Sequence, residues 1–218
     1  MKITCLVPAR SGSKRIKNKN IINFKGTNLL NFVFKRIIRS KFINHFVLAS
    51  DNPLFYSKLK SLKKKVTFYK RKKTSSKDTS SSESVITEYL KNSQDNADII
   101  ILLQVTNPFV KKNHLDKAIS NFLRHKFDSM FSAVKSNYFI WKKKNNLESI
   151  NYNYKKRPRS QNFDKYYIEN GSFYIFYRKN FYKFKNRLHG KIGIYEMEKE
   201  TIHELDDFKD LKIINKLI

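Results

Sequence analysis

Apolar and polar positions along this chain fall into blocks whose spacing switches repeatedly between the strand period and the helix period. Residues 3–7 (ITCLV) are a short β-rich run closed by Pro8 and read as a buried strand. Residues 28–40 (NLLNFVFKRIIRS) place apolar side chains at helical spacing with a basic opposite face. Residues 46–50 (FVLAS) predict a second strand, ending at Asp51-Asn52-Pro53. A helix over 54–64 and a short strand over 66–69 follow. The stretch 70–84 is basic and then Ser/Thr-rich. It reads either as a linker or as a binding loop capped by the next helix, over 83–91. Residues 99–105 (IIILLQV) are the strongest apolar run and predict a central parallel strand that ends at Thr106-Asn107-Pro108. A helix over 114–125 and a strand over 129–134 come next. Residues 166–177 (YYIENGSFYIFY) read as a β-rich run with an Asn-Gly turn, and residues 191–197 as another strand. The chain closes on a helix over 205–217 with acidic residues at its start.

This alternation predicts an α/β fold: a three-layer sandwich with a mostly parallel sheet and helices on both faces. In such sheets ligands lie beyond the carboxyl ends of the strands, so the loops after Val7, Ser50 and Val105 should share one rim. A length of 218 residues suits a single domain, 1–218. Residues 137–165 break the pattern. They are polar and basic with scattered aromatics (Tyr138, Phe139, Trp141, Tyr152, Tyr154) and predict an excursion from the sheet.

Composition changes this picture in one respect. Lys and Arg number 46 against 18 Asp and Glu, a formal net charge of +28. Such a surface attracts nucleic acid, anionic membrane or phosphorylated small molecules. Lys dominates over Arg, and Asn, Ile, Phe and Tyr are abundant, which is the mark of an AT-rich coding bias spread over solvated faces. No nucleic-acid-binding motif accompanies the charge, so a nucleic-acid partner is not expected. A lone cysteine, Cys5, excludes an internal disulfide or a Cys-based zinc site and reads as a core residue. No apolar run reaches the ~18 residues of a membrane span. The short run 3–7 does not make a signal peptide, so a cytoplasmic enzyme is the expectation.

Four segments carry candidate chemistry. The first is the loop 10–20 after the first strand, with Gly12, Ser13 and five basic residues. Its backbone N–H groups can cradle phosphate, and Arg10, Lys14 and Lys19 can neutralise a triphosphate. It lacks the Walker A pattern, and it also reads as a plain basic surface loop. The second is Glu204 and Asp206, two apart and so on one face of an extended segment, a pair able to bind Mg²⁺. The other reading is an acidic cap for the last helix. The third is the polar end of the central strand, Gln104 to Pro108. The fourth is Arg159, Gln161, Glu169, Asn170 and Gly171, where Asn170-Gly171 taken alone reads as a hairpin turn. His45, His114, His125, His189 and His203 show no zinc spacing.

In order along the chain, these segments resemble the CMP-sialic acid synthetase, or acylneuraminate cytidylyltransferase, family, which makes CMP-nonulosonates. Ala9, Arg10, Ser13, Lys14, Ile16, Lys19 and Asn20 match its first-loop signature. Arg71 with Asp78-Thr79-Ser80-Ser81-Ser82 is similar to its cytidine loop. Leu102 to Pro108, then Arg159, Gln161 and Glu169 to Tyr174, resemble its strand end and sugar-binding stretch. Glu204 and Asp206 fall where the family has paired metal aspartates. The resemblance implies a Rossmann-like nucleotidyltransferase that uses CTP, Mg²⁺ and a nine-carbon sugar acid. Arg10, Lys14, Lys19 and Asp206 would be catalytic. Ala9, Arg10, Ser13, Lys14, Asn20, Arg71 and Ser82 would bind nucleotide. Gln104, Arg159, Gln161, Asn170 and Gly171 would bind the sugar acid, and Asp206 with Glu204 the Mg²⁺. The excursion 137–165 would mediate a homodimer. Ile168 stands where many bacterial members have an Arg that meets the sugar carboxylate, and Val110 stands where an Arg is usual. Two alternatives remain: CMP-octulosonate synthesis on the same fold, and a basic nucleic-acid-binding protein without catalysis.

Overall fold

A computed structural model of the chain describes residues 1–72, 75, 80–163 and 166–218. Asp78 and Thr79 of the expected cytidine loop, and the last two residues of the expected excursion, lie outside them. The strands are β1 (Ile3–Ala9), β2 (Asn23–Phe24), β3 (Thr27–Asn28), β4 (His45–Ser50), β5 (Thr67–Lys70), β6 (Ile99–Leu103), β7 (Ser129–Ser136), β8 (Trp141–Lys143), β9 (Leu147–Ser149), β10 (Tyr166–Tyr177) and β11 (Ile192–Met197). The helices are α1 (Leu29–Ile37), α2 (Pro53–Ser57), α3 (Ser82–Asn92), α4 (Lys112–Arg124), α5 (Arg178–Phe184) and α6 (Phe208–Leu217).

Seven strands form one sheet in the order β11-β7-β10-β6-β1-β4-β5. All neighbours are parallel except β10, which runs antiparallel to both β6 and β7. The expected mostly parallel α/β sheet is therefore present, with β6 central but parallel on one side only. Because side chains alternate across a strand, β1 and β6 feed two cores. Cys5, Val7, Ile99 and Ile101 pack under α1, α4 and α6. Leu6, Ile100 and Leu102 pack under α3 and α5. These are the two helix-covered faces of a three-layer sandwich. Each fully buried aliphatic side chain contributes roughly 1.5–3 kcal/mol.

Local chemistry sets the boundaries. The Asn28 side chain accepts from Asn31 N–H and caps α1, and Ser81 accepts from Ser84 N–H and caps α3. Three expectations need correction. β1 does not stop at Pro8: it runs to Ala9, pairing Pro8 with Ala49, because its ladder to β6 ends at Leu6, short of the proline. The helix expected over 54–64 is split into α2 and a 3₁₀ turn (Lys60–Lys65), with Lys60 left-handed at the break. The last helix begins at Phe208 rather than at 205. Asp207 and Asp210 form its capping box, which excludes Glu204 and Asp206 as the cap.

The excursion is a hairpin of β8 and β9, a two-stranded sheet separate from the main one. Phe139 packs on Tyr152 and Phe163 at its base, with the Arg157 guanidinium over the Phe139 ring. Tyr138, Trp141, Leu147, Ile150 and Tyr154 remain exposed on it.

Candidate active site

β1 delivers the loop 10–20 to the carboxyl rim, where the loop is folded rather than loose. The N–H and Oγ of Ser11 donate to the Asp51 carboxylate at 2.9 and 2.6 Å, fastening the loop to the end of β4. Ile16 is buried beneath it. Asn20, also buried, donates from Nδ2 to the Arg10 carbonyl at 3.0 Å and closes the loop on itself. Apart from its two chain neighbours, no atom of the described residues lies within 4 Å of where a Cβ on Gly12 would sit, so the packing among them leaves room for a side chain there.

A cleft of about 210 Å³ opens against this loop. Its walls include Arg10, Ser13, Lys19 and Asn20 from the loop, Arg71, Ser80 and Ser81 from before α3 with Ser82 at its first turn, and Gln104 and Thr106 from the end of β6. The loops after β1 and β6 thus share the rim, as expected, and the start of α3, with its positive dipole end, faces the same space. Arg71 is held by its backbone N–H to the Ser50 carbonyl and by its guanidinium to the Ser75 carbonyl. Burial pushes its pKa down, with Asp51 and Glu88 opposing and Arg10 adding to the shift. A second cavity of about 270 Å³ is lined by Arg10, Ser13, Lys14, Arg15, Lys19 and Asp206. Residues nearly 200 positions apart therefore line one cationic trough.

The acidic segment closes the trough. Leu205 is fully buried, so Glu204 and Asp206 project together on the other side. The Asp206 carboxylate receives Arg15 Nη1 at 2.8 Å and Lys19 Nζ at 3.0 Å, and Lys19 also donates to the Leu205 carbonyl at 2.8 Å. Burial works to raise the Asp206 pKa, but these cations outweigh it and hold it low. Glu204 moves the other way. Burial raises its pKa first and the Asp206 charge adds, with Lys19 opposing. Its Oε1 is buried with no hydrogen-bond partner among the described residues. An orphaned Glu204 oxygen, close to the Asp206 carboxylate that lines the phosphate-sized trough, fits a hard divalent cation that shares its shell with phosphate oxygens.

The Asn170-Gly171 reading needs correction. No hairpin forms there. β10 continues through both residues, and its register to β7 shifts between Glu169 and Tyr174. Asn170 is 1% exposed. Its Oδ1 accepts from Ser132 Oγ at 2.6 Å, and its Nδ2 donates to Thr201 Oγ1 at 2.9 Å. The side chain expected to touch the sugar acid is turned inward. Gly171 has φ of +64°, and a Cβ there would sit 1.5 Å from Glu204 Oε1 and 3.0 Å from Gln104 Oε1. The bulge thus brings backbone against two candidate site side chains. Arg159 and Gln161 are exposed on the excursion, apart from the residues that line the two cavities.

Asp51 escapes the sequence patterns as a site residue, and Arg15 and Asn107, though inside two candidate segments, are given no role by them. Each acts through a partner far along the chain, which local spacing does not reveal.

The sequence profile described as cytidylyltransferase matches residues 4–217. The chain belongs to the cytidylyltransferase family. An N-acylneuraminate cytidylyltransferase A of Danio rerio is 32% identical over 94% of this chain and 48% of its own length. A pseudaminic acid cytidylyltransferase of Campylobacter jejuni is 27% identical over 97% of this chain and 94% of its own. The chain thus spans about half the length of the fish relatives and nearly all of the bacterial one. Among solved structures, a CMP:2-keto-3-deoxy-manno-octonic acid synthetase complexed with CTP superposes with a TM-score of 0.74. It is 16% identical and matches 100% of this chain and 98% of its own. A 4-diphosphocytidyl-2C-methyl-D-erythritol synthase from Anaerococcus prevotii gives 0.73 at 16% identity over 99% and 95%. These two share the fold of this cytidylyltransferase-family chain.

Proposed function

We propose that the chain transfers CMP from CTP to the anomeric hydroxyl of a nonulosonic acid, sialic acid-like in class, and releases pyrophosphate. The observation that carries this reading is that Arg10, Ser13 and Lys19 line both the cleft they share with Ser82 and Gln104 and the trough they share with Asp206. The names of the relatives, N-acylneuraminate and pseudaminic acid cytidylyltransferases, support the sugar class. The anomeric oxygen attacks the α-phosphorus, the bond to the bridging oxygen of the β-phosphate breaks, and the hydroxyl proton is released. Positioning and charge neutralisation dominate such transfers. Arg10, Lys14 and Lys19 hold the triphosphate, and the Ser13 hydroxyl and the loop N–H groups, beside Ala9, donate to its oxygens. Asn20 holds the loop closed, while Arg71 and Ser82 face the cytidine side. Gln104 and the Gly171 backbone face the sugar acid, with Arg159 and Gln161 reaching it only from the excursion. Asp206, with Glu204, holds Mg²⁺, which when bound offsets triphosphate charge. The exposed aromatic hairpin β8–β9 supports a homodimer, and the chain works in the cytoplasm. Octulosonic acid on the same fold is the second reading, favoured by the structural likeness to the octonic acid synthetase.

The test is pyrophosphate release with CTP and Mg²⁺ over a panel of sialic, legionaminic, pseudaminic and octulosonic acids. Release is expected with a nonulosonic acid. Release with octulosonic acid alone selects the second reading, and release with none of them overturns both. Asp206→Ala should abolish Mg²⁺-dependent turnover with the fold intact, and near-normal activity in that variant would remove Asp206 from the metal role.

A further inference from the structure

We infer that Asn107 is a positioning residue, a buried clamp that fixes the Glu204–Asp206 segment against β10. The inference rests on the proposed reading of that segment as the metal-binding one. Asn107 follows Thr106 at the end of β6 and is fully buried. Its Nδ2 lies 2.7 Å from the Asn170 carbonyl and 2.7 Å from the Thr201 carbonyl. Carbonyls only accept, so both contacts use the amide's two N–H donors, and this orientation of the amide is forced. One side chain thus ties the β10 bulge to the turn that precedes the acidic pair.

The clamp is reinforced on both sides. Asn170 Nδ2 donates to Thr201 Oγ1 at 2.9 Å, and Thr201 Oγ1 donates to the Glu198 carbonyl at 2.7 Å. Leu205 N–H donates to the Thr106 carbonyl at 2.8 Å, and Gln104 N–H to the Ser172 carbonyl at 3.0 Å. Residues 104–107 therefore grip β10 with one edge and residues 201–205 with the other. The consequence for the site is geometric. Glu204 Oε1 packs where a side chain on residue 171 would otherwise lie, so its position depends on how closely residues 201–205 approach the bulge. Asn107 sets that approach. A hydroxyl has one donor and spans only one of the two carbonyls, so serine cannot replace it in kind.

The test is Asn107→Ser, with the isosteric Asn107→Asp beside it. Two measurements are made on the full chain: amide hydrogen exchange by peptide, and Mn²⁺ binding with CTP followed by electron paramagnetic resonance. Losing one of the two bonds should speed exchange in peptides covering 198–207 about fivefold. Peptides of β1 and α1 should stay unchanged. Mn²⁺ binding in the presence of CTP should weaken about tenfold. Unchanged exchange in 198–207, or a uniform rise across all peptides, overturns the clamp. If Asn107→Asp fails to fold, Asn107→Ser decides alone. Asp206→Asn separates the two claims. Wild-type Mn²⁺ affinity in that variant sinks the metal reading, while the exchange pattern of Asn107→Ser still decides whether Asn107 clamps the segment.

Discussion

Single residues in this site are constrained by contacts that no local pattern contains. Gly171 is the sharpest case. Its left-handed backbone and the Glu204 oxygen beside it leave no room for a methyl group. Gly171→Ala should lose about 1–3 kcal/mol of stability from the backbone alone and displace Glu204. Urea unfolding paired with turnover tests this, and a variant with wild-type values in both would contradict the geometry. Arg10→Ala tests the loop. Removing a charge-stabilising donor from a transferring phosphoryl group typically lowers turnover about 10²–10³-fold. A loss confined to KM for the sugar acid would place Arg10 elsewhere.

At the scale of elements, two acidic groups do purely structural work, Asp207 beside the site and Asp95 at the opposite, amino-terminal edge of the sheet. Asp207 caps α6 by accepting from the N–H groups of Lys209 and Asp210. The Asp210 N–H holds its pKa down most strongly, with desolvation opposing and further help from Lys209 and Arg15. Asp207→Ala should lower the melting temperature but leave CTP and Mg²⁺ dependence unchanged, since the carboxylate serves the helix and not the trough. Abolished turnover with a normal melting curve would reassign it. Asp95 joins three elements. It accepts from Tyr89 Oη of α3 at 2.7 Å and from Ala97 N–H at 2.9 Å, and it faces His45 of β4 at 3.9 Å. Burial alone would raise its pKa, yet the bonds from His45, Tyr89, Thr4 and Ala97 prevail and hold it far below the usual carboxylate range. With the folded pKa depressed, its contribution is present above the unfolded value near pH 4 and is lost as pH falls toward the folded value. The gap in denaturant stability between wild type and Asp95→Asn should therefore be largest at neutral pH and shrink below about pH 4. A gap independent of pH would rule out this linkage.

For the whole molecule, the excess charge and the exposed hairpin lead to separate expectations. Nucleic acid held only by a formal +28 should dissociate between roughly 50 and 200 mM salt. Retention above that range in a filter-binding assay would argue for a specific partner. The hairpin leaves Trp141, Leu147 and Ile150 in solvent, an exposed apolar patch of the kind that marks an interaction surface. Charged substitutions at Leu147 and Ile150 should convert a dimer to a monomer in light scattering, and a monomeric wild type would end the dimer proposal.

Elements were legible wherever the pattern was local. The apolar runs of β1, β4 and β6, the helical spacing of α1, α3 and α4, and the basic loop after β1 all depend on neighbours a few positions apart. So does the pairing of Glu204 with Asp206, which follows from the two-residue period of extended chain. Tertiary structure decided the rest, because each outcome turns on partners distant in sequence. Asn170-Gly171 has the composition of a hairpin turn, yet Ser132, Asn107 and Thr201 draw Asn170 inward and keep β10 continuous. Pro8 would end an isolated strand, yet β6 stops pairing before it and β4 carries β1 on to Ala9. The basic loop is one Lys- and Arg-rich stretch among many until Asp51, Asn20 and Asp206 fold it into the wall of a trough.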